Sequence, residues 1–399
     1  MKKVLLLGGA YSQIPSIKKA KELGYYTITC DYLPDNPGHK YADEYYNVST
    51  TDKEAVLELA QKLKIDGIVA YASDPAAPTA AYVAEKMGLA GHPYKSVEIL
   101  SNKDLFRKFL KENGFNTLRA NGFDNLEEAK KDWDNFKKPV MVKPVDSSGS
   151  KGITKINDIS ELENAFNYAL TFSRAKRIVI EEYIEADNGQ ILGEGFSYNG
   201  SLDVCLFIRH KFDSKAENPY TPEGGILPID LSENIQESIR NDIQKVLNIL
   251  NMKTGAYNFE IRINNEKIYL MEIAPRNGGN MIPQLIKQAT GFDMVEATIK
   301  SAVGDVKKID KQVFYPSNCC SYYVIHSNSN GVLKKITVDI DFKNNNLVKF
   351  YQFVNEGDNV STFTGAHGAI GIMILKFETK DEMLEKMDNM GKYVKVIVE

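Results

Sequence analysis

The residues with the clearest chemical potential lie between positions 255 and 280, in the sequence GAYNFEIRINNEKIYLMEIAPRNGGN. Alternating polar and apolar residues up to Ile263 predict a half-buried strand, and IYLMEI predicts a second strand that completes a hairpin. With residues 265–267 as the loop, Glu260 lies opposite Glu272 on the same face, with Cβ atoms roughly 5 Å apart. At an effective dielectric constant of about 20, two charged carboxylates at that distance repel by about 3 kcal/mol. The hairpin therefore predicts a group that offsets this repulsion.

A divalent cation bound by the two carboxylates is one interpretation of the hairpin. Mg²⁺ is usually held by one or two protein carboxylates, with substrate phosphates and water as its other ligands. Arg276 follows Glu272 by four residues, and its planar guanidinium suits a phosphate or carboxylate oxygen beside the metal. The alternative is a polar face that meets water, with Arg276 paired to one of the glutamates. The hairpin alone leaves both interpretations open.

Two lysines upstream are candidates for binding phosphate. Lys103 falls in the first turn of a predicted amphipathic helix over residues 101–113, where a positive charge is unfavourable for the helix dipole. It points at a bound phosphate or is solvated. Lys143 ends a predicted strand over residues 140–143, and the small residues of 146–152 follow it. Backbone N–H groups of such a loop can surround phosphate oxygens, although an ordinary mobile hairpin loop has the same composition.

Two further segments have both a functional and an ordinary interpretation. The sequence EEYI at 181–184 follows a buried strand, and an extended segment there offers the alternating C=O and N–H groups that adenine requires. It is otherwise a simple connection to the next predicted strand, 190–198. Residues 205–230 are predicted as a strand and a long polar loop containing Arg209, His210, Lys211 and Glu223. These basic groups bind an anionic substrate or form a solvated strand end.

The elements that must position these residues begin with alternating strands and helices over residues 2–92. That alternation predicts a small parallel sheet with helices on both faces. Gly8 and Gly9 follow the first strand, but the G-x-G-x-x-G pattern is missing, which argues against a nicotinamide cofactor. The two glycines form a tight turn or bring backbone close to a ligand. Helices are predicted at 236–250 and 283–303, and the strand-rich segment 310–399 has its own α+β pattern.

Composition limits the class of protein. A chain of 399 residues that is 43% hydrophobic and 26% charged is long enough for two or three globular domains. The net charge of −4 gives no basic surplus for binding nucleic acid. No apolar run approaches the ~20 residues that span a bilayer, and the apolar run near the N-terminus is too short for a signal peptide. The four cysteines have no metal-like spacing, so we expect reduced thiols and a cytoplasmic protein.

Taken together and in this order, the elements and motifs resemble the ATP-grasp superfamily of carboxylate-amine ligases over essentially the whole chain. The EIAPR motif at 272–276 looks most like the branch that contains carboxyaminoimidazole ribonucleotide synthetase, biotin carboxylase and carbamoyl phosphate synthetase. The resemblance implies an α/β and α+β architecture. It consists of a Rossmann-like pre-ATP-grasp domain (1–95), an ATP-grasp domain (96–305, with a lid subdomain at about 115–185) and a C-terminal α+β domain (306–399).

The resemblance also implies roles for individual residues. Glu260 and Glu272 would hold Mg²⁺ or Mn²⁺, and Arg276 and Lys143 would act on the reacting groups. The residues expected to bind ATP are Lys103, Lys143, Ser147, Ser148, Gly149, Gly152, Glu181, Glu182, Tyr183, Ile184 and Gln190. Three positions depart from the common pattern: Asn102 stands where Asp often precedes the first lysine, Gln190 where Glu often follows the hinge, and Ala274 where many members have an Asn metal ligand. The EIAPR branch shares Ala274, whereas Gln190 puts the ribose contact in doubt.

The implied reaction converts ATP and a carboxylate into a bound acyl phosphate and ADP, and an amine then attacks the acyl phosphate. The alternatives are a bicarbonate-dependent carboxylase of the same fold and a nucleotide-binding module without catalysis. The expected partners are small carboxylate and amine substrates, without nucleic acid or membrane, and the resemblance is compatible with a homodimer. The motifs do not identify the two substrates.

Overall fold

The computed structural model describes residues 1–149, 151–187, 189–213, 218, 221–309 and 312–399. Ser150 in the predicted phosphate loop, Asn188 after the predicted hinge and part of the predicted polar loop at 205–230 lie outside these residues. Every helix in the described part of the chain is too short or too polar to cross a lipid bilayer.

The N-terminal part is a four-stranded parallel sheet in the order β3-β2-β1-β4, as the alternating pattern predicts. Its elements are β1 Lys3–Leu7, α1 Ile14–Glu22, β2 Tyr26–Cys30, β3 Glu44–Tyr46, α2 Lys53–Leu63, β4 Gly67–Val69 and α3 Ala77–Met87. Strand β3 is only three residues long and ends at Tyr46.

Two helices lead from this sheet towards the site, α4 Tyr94–Ser101 and α5 Lys103–Glu112. The prediction that one capped helix starts at Ser101 is wrong, because Asn102 is extended (φ −119°, ψ 115°) and separates the two helices. The Asn102 side chain donates to the carbonyl of Glu98 and thereby caps the end of α4. Lys103 is therefore the first residue of α5.

A small antiparallel sheet in the order β5-β8-β6-β7 follows. Its elements are β5 Ala120–Phe123, α6 Leu126–Asp132, β6 Val140–Pro144, β7 Thr154–Ile156, α7 Leu162–Phe172 and β8 Ile178–Glu182. Apolar residues of α6 and α7 pack on one face of this sheet and form its core with Trp133 and Phe136.

The central sheet has eight strands in the order β13-β12-β9-β10-β11-β14-β18-β16, with antiparallel neighbours. In chain order, the elements over residues 191–302 are β9 Ile191–Tyr198, β10 Ser201–Phe212, β11 Pro222–Leu227, α8 Glu233–Ile249, β12 Gly255–Asn264, β13 Lys267–Ala274, α9 Ile282–Thr290 and α10 Met294–Ala302. The predicted long helix over 283–303 is two helices, because Gly291 ends α9 at φ +81° and Asp293 caps α10.

The last segment contributes strands to the same central sheet. Its elements are β14 Cys319–His326, β15 Gly331–Val338, α11 Ile340–Asn346, β16 Leu347–Gln352, β17 Asn359–Val360, β18 Ala369–Phe377, α12 Lys380–Asp388, α13 Met390–Tyr393 and β19 Val394–Val398. Strands β14, β18 and β16 extend the central sheet, whereas β17, β15 and β19 form a separate three-stranded sheet. The division into three domains stays a prediction, and the sheet itself is continuous across residue 306.

The long polar loop predicted within residues 205–230 is wrong in its placement of the basic residues. Arg209, His210 and Lys211 lie within β10, and Glu223 lies within β11, which pairs with it. His210 pairs with Gly225, so these polar residues are part of the sheet, whose register shifts directly after Lys211.

Helix α10 joins the central part to the N-terminal sheet. Val295, Ile299 and Ala302 pack with Val4 and Leu6 of β1 in one buried cluster. A Cβ atom on Gly67 would lie 2.5 Å from the carbonyl oxygen of Ala302, so only glycine permits this close approach of β4 to α10. The N-terminal sheet is thereby fixed against the part of the chain that carries the hairpin.

Candidate active site

The hairpin of β12 and β13 holds Glu260 opposite Glu272, as the sequence predicts. The loop, however, is the two residues Asn265 and Glu266, both with positive φ (48° and 61°), which is the geometry of a type I′ turn. Lys267 pairs with Asn264, and the register shifts after Glu260. The three-residue loop that we predicted is therefore wrong, and the shift restores the facing glutamates.

The two carboxylates form a partly buried acidic site. Burial and the charge of Glu272 raise the pKa of Glu260 to about 7. Nε of Arg276 is bonded to Oδ1 of Asp74 at 2.6 Å rather than to either glutamate. Lys103 is the nearest positive charge in the described ion pairs, with its Nζ 3.7 Å from Oε2 of Glu272. A pair of oxygen ligands with excess negative charge fits a hard divalent cation.

Lys103 also ties this acidic site to the predicted phosphate loop. Its Nζ donates to the carbonyl of Ser147 at 2.7 Å, across from the start of α5. Gly149 has φ +69° and open space around its Cα, whereas Gly152 has φ +73° and packs against Pro144 and Phe172. Gly149 therefore faces open space, and Gly152 serves the packing of the loop.

Lys143 takes part in a buried charge network. Its Nζ bonds to Glu181, and Nε of Arg107 donates to the same carboxylate at 3.0 Å. Glu181 and Arg107 are 1% and 4% exposed. Burial alone would raise the pKa of Glu181, but Lys143 and Arg107 outweigh it and hold that pKa at about 2. The side chain of Glu181 is thus committed to positioning Lys143.

The predicted hinge after β8 contains two kinds of residue: some bond to other segments of the chain, and others face the cavity. Glu182 accepts a hydrogen bond from the backbone N–H of Lys137, and the carbonyl of Ile184 accepts one from Arg262 at 2.6 Å. Tyr183 and Gln190 line the cavity instead. Contact of this segment with adenine stays a prediction.

One cavity of about 710 Å³ joins most of the predicted residues, within the size range of small-molecule sites. The predicted residues on its wall are Lys103, Lys143, Ser147, Ser148, Gly149, Tyr183, Gln190, Glu260, Glu272 and Arg276. Four others do not line it: Gly152, Glu181, Glu182 and Ile184.

Sequence reasoning missed several residues that organise the site. Glu194 in β9 is fully buried, accepts hydrogen bonds from Gly278 N–H at 2.8 Å and from Asn258 Nδ2 at 3.0 Å, and has its pKa raised to about 7 by burial. It fixes the segment that carries Arg276. A glutamate inside the strand ILGEGFSY was the available signal, because such a residue needs partners when it is buried.

Arg107 and Asp74 were missed as well. Arg107 lies four residues after Lys103, so helical spacing places both on one face of α5. Asp74 follows the carboxyl end of β4, which is where ligand-binding residues of parallel sheets usually lie. Both residues line the cavity.

Comparison with known proteins agrees with this arrangement. Residues 136–284 match the ATP-grasp domain family. The chain is 25% identical over 407 aligned residues to formate-dependent phosphoribosylglycinamide formyltransferase of Prochlorococcus marinus, covering 100% of this chain and 99% of that protein. It is 24% identical over 298 residues to the carbamoyl phosphate synthase large chain of Thermotoga petrophila, covering 74% of this chain but only 27% of that protein.

The fold is also that of a solved ligase. The structure of L-amino acid ligase from Bacillus licheniformis superposes with a TM-score of 0.84 at 20% identity, over 100% of this chain and 99% of that one. At that identity the match establishes the fold alone. The matched segment, residues 136–284, is therefore an ATP-grasp domain. The match to carbamoyl phosphate synthase agrees with the branch that the EIAPR motif resembles, so the predicted resemblance is confirmed.

Proposed function

We propose that this protein is an ATP- and magnesium-dependent ligase that forms ADP, activates a carboxylate as an acyl phosphate and transfers the acyl group to an amine. The observation that carries the proposal is the convergence of Lys103, Lys143, the Glu260–Glu272 pair and Arg276 on one cavity. The similarity to a formate-dependent formyltransferase and to an L-amino acid ligase supports the same class of reaction. The particular substrates are not carried over from them.

The nucleotide occupies the half of the cavity between the small sheet and the hairpin. Met141, Ile153 and Tyr183 provide an apolar and aromatic wall for the base. Lys103 and Lys143 lie beside the phosphates, and Ser148 and Gly149 cover them from the loop. Glu260 and Glu272 would hold Mg²⁺, which supplies charge neutralisation at the phosphate oxygens when bound.

The chain's own residues then position the reacting groups. An oxygen of the substrate carboxylate, held by Arg276, attacks the γ-phosphorus of ATP, and the bond to the bridging oxygen of ADP breaks. The amine nitrogen next attacks the acyl carbon, phosphate leaves, and the amine loses a proton. The positive charges of Lys103, Lys143 and Arg276 stabilise the negative charge that develops during the transfer. Closure of the loop over residues 147–149 keeps water from the acyl phosphate.

Product analysis tests this proposal. The protein is incubated with ATP, Mg²⁺, pooled carboxylic acids and hydroxylamine, which captures an acyl phosphate as a hydroxamate. We expect ADP, phosphate and a hydroxamate that all depend on the acid. AMP and pyrophosphate as products would contradict the ligase mechanism, because they require attack at the α-phosphorus.

Bicarbonate is the substrate of the second candidate function, a carboxylase of the same fold. The structural similarity to a biotin carboxylase domain from Hydrogenobacter thermophilus, solved with MgADP and bicarbonate, favours including it. Bicarbonate-dependent ADP release without hydroxamate formation from any organic acid would identify this alternative. A homodimer and a cytoplasmic location are further proposals, which gel filtration and cell fractionation test.

A further inference from the structure

Arg276 lies on the cavity wall with a carboxylate beside it. Its Nε and Nη2 both approach Oδ1 of Asp74 at 2.6 Å, and Nη1 donates to the carbonyl of Asn277 at 2.9 Å. Oδ2 of Asp74 accepts no hydrogen bond from any described residue. The Asp74 side chain is 25% exposed, against 9% for Arg276. The cavity therefore presents a positive and a negative group side by side, and Oδ2 of Asp74 can accept a hydrogen bond from a ligand.

This pair discriminates between classes of acid. A simple carboxylate such as formate, or a bicarbonate ion, gains attraction from Arg276 but meets repulsion from Asp74. An α-amino acid carries an ammonium group one carbon away from its carboxylate, so that it matches both charges at once. Charge complementarity of this kind selects between ligands of similar size.

Part of the cavity wall is apolar. Ile282, which begins α9 shortly after Arg276, belongs to one buried cluster with Val324 and Phe363, and Phe212 and Pro222 also line the cavity as a pair of neighbouring strand residues.

Among the residues that the structure describes on the cavity wall, the polar ones near Phe212 carry no charge that would pair with an ionised side chain. Thr221 and Asn280 are uncharged, and burial lowers the pKa of His210 to about 4, which keeps its ring neutral near pH 7. The charged residues that the structure describes on the cavity wall, other than Asp74 and Arg276, are Lys103, Arg107, Lys143, Lys151, Glu185, Glu260, Arg262 and Glu272, and we assign these to the nucleotide half.

We propose that the carboxylate substrate is an α-amino acid with an apolar side chain. Its carboxylate lies at Arg276, its ammonium group at Asp74, and its side chain against Phe212, Val324, Phe363 and Ile282. The proposal rests on the proposed function and names the acid that is activated. The amino acid is the acyl donor, so its carboxylate oxygen forms the new bond to phosphorus and ADP leaves.

The unaltered enzyme provides the first test, because amino acids can be compared with the same acids lacking the amino group. L-leucine is paired with 4-methylpentanoate and L-phenylalanine with 3-phenylpropanoate, and L-glutamate, L-lysine, formate and bicarbonate complete the set. ADP release is measured with hydroxylamine present, and the hydroxamate is identified by mass. We expect kcat/KM for an apolar amino acid to exceed that of its desamino partner by at least about 100-fold. When the desamino acid is bound, Asp74 has no ammonium group to pair with.

The outcomes separate this inference from the proposed function. Equal activity with desamino acids, or preference for glutamate, lysine, formate or bicarbonate, overturns the inference while ADP formation still supports a ligase. AMP formation, or no ADP with any acid, overturns both.

Asp74→Asn provides the second test, with the exposed Asp35 of the same N-terminal part as the control position. We expect Asp74→Asn to lower kcat/KM for the amino acid at least about 30-fold and to leave kcat/KM for the desamino acid unchanged or higher, because that acid no longer meets the charge of Asp74. KM for ATP should change little. Asp35→Asn should behave like the unaltered protein. An equal loss with both acids would show that Asp74 only supports Arg276 and would overturn the ammonium contact. The substrate comparison decides the question if Asp74→Asn does not fold.

Discussion

Glu260 and Glu272 face each other across the hairpin of β12 and β13, and Nζ of Lys103 lies 3.7 Å from Oε2 of Glu272. We predict that Glu272→Gln abolishes magnesium-dependent ADP formation, with a loss of at least about 100-fold. The substitution removes the charge of a proposed metal ligand, and the metal in turn positions the phosphates. Thermal stability should stay the same or rise, since the repulsion between the carboxylates disappears. ADP release against Mg²⁺ concentration and a melting curve measure the two effects.

Glu266→Gln is the matched control for this variant. Glu266 lies in the turn of the same hairpin and is exposed, so its replacement should leave both quantities unchanged. Undiminished activity of Glu272→Gln would remove Glu272 from the metal site.

A second prediction concerns Glu181, which holds Lys143 and Arg107 in place. Glu181→Gln leaves two positive charges in a buried site without their carboxylate. Removing one partner from such a network costs about 3–5 kcal/mol of stability, so the melting temperature should fall clearly. The neighbouring Glu182→Gln should cost far less, because its side chain accepts a backbone N–H bond that glutamine also accepts. Equal melting temperatures for the two variants would contradict the network's importance.

The sequence was most informative where local rules and tertiary structure agree. The parallel N-terminal sheet follows from strand-helix alternation, and the hairpin follows from period-2 patterning. The pairing of Glu260 with Glu272 also needs a register shift that the pattern does not show. The predicted start of α5 was wrong because the side chain of Asn102 caps the preceding helix, α4, rather than α5. The side chain of such a residue can cap either of two neighbouring helices, and packing determines which one it caps.

The residues missed by sequence reasoning share a different cause. Glu194, Arg107 and Asp74 obtain their roles from partners far away in the chain: Gly278, Glu181 and Arg276. A charged residue in an apolar pattern indicates that a partner is needed, but the pattern does not identify the partner. The same limit explains why β14, β16 and β18 were expected in a separate pattern rather than in the central sheet.

The third prediction tests whether Lys103 holds the phosphate loop through the carbonyl of Ser147. Small residues bury little surface, so ordering such a loop at a cost of about 1–2 kcal/mol per residue requires a ligand. We expect amide hydrogen exchange at residues 147–149 to slow when an ATP analogue and Mg²⁺ are added.

Two lysines of the same helix provide the comparison for this effect. Lys103→Gln should largely remove the protection. Lys108→Gln should keep it, because the Lys108 side chain is 71% exposed and points away from the cavity. Equal exchange with and without nucleotide would argue against loop closure.

The last prediction concerns stability towards acid and His92, which follows α3. Nδ1 of His92 accepts the backbone N–H of Lys253 at 3.1 Å, and the ring lies beside Tyr257 with centroids 5.3 Å apart. A Cβ atom on Gly255 would lie 2.4 Å from Nε2, so the ring packs directly on the start of β12. A doubly protonated imidazole cannot accept the Lys253 bond.

Burial lowers the pKa of His92 to about 4 from its usual 6.5. Between these two values the unfolded chain binds a proton that the folded protein does not, so stability is lost as the pH falls below 6.5. The loss at pH 5 is about 2 kcal/mol at most, because each pKa unit corresponds to about 1.4 kcal/mol. His92→Asn keeps an acceptor for the Lys253 N–H but does not titrate. The fall in melting temperature from pH 7.5 to pH 5 should therefore be smaller in His92→Asn than in the unaltered protein, and unchanged in the control His367→Asn, whose ring is exposed. An equal fall in all three proteins would show that other groups account for the acid sensitivity.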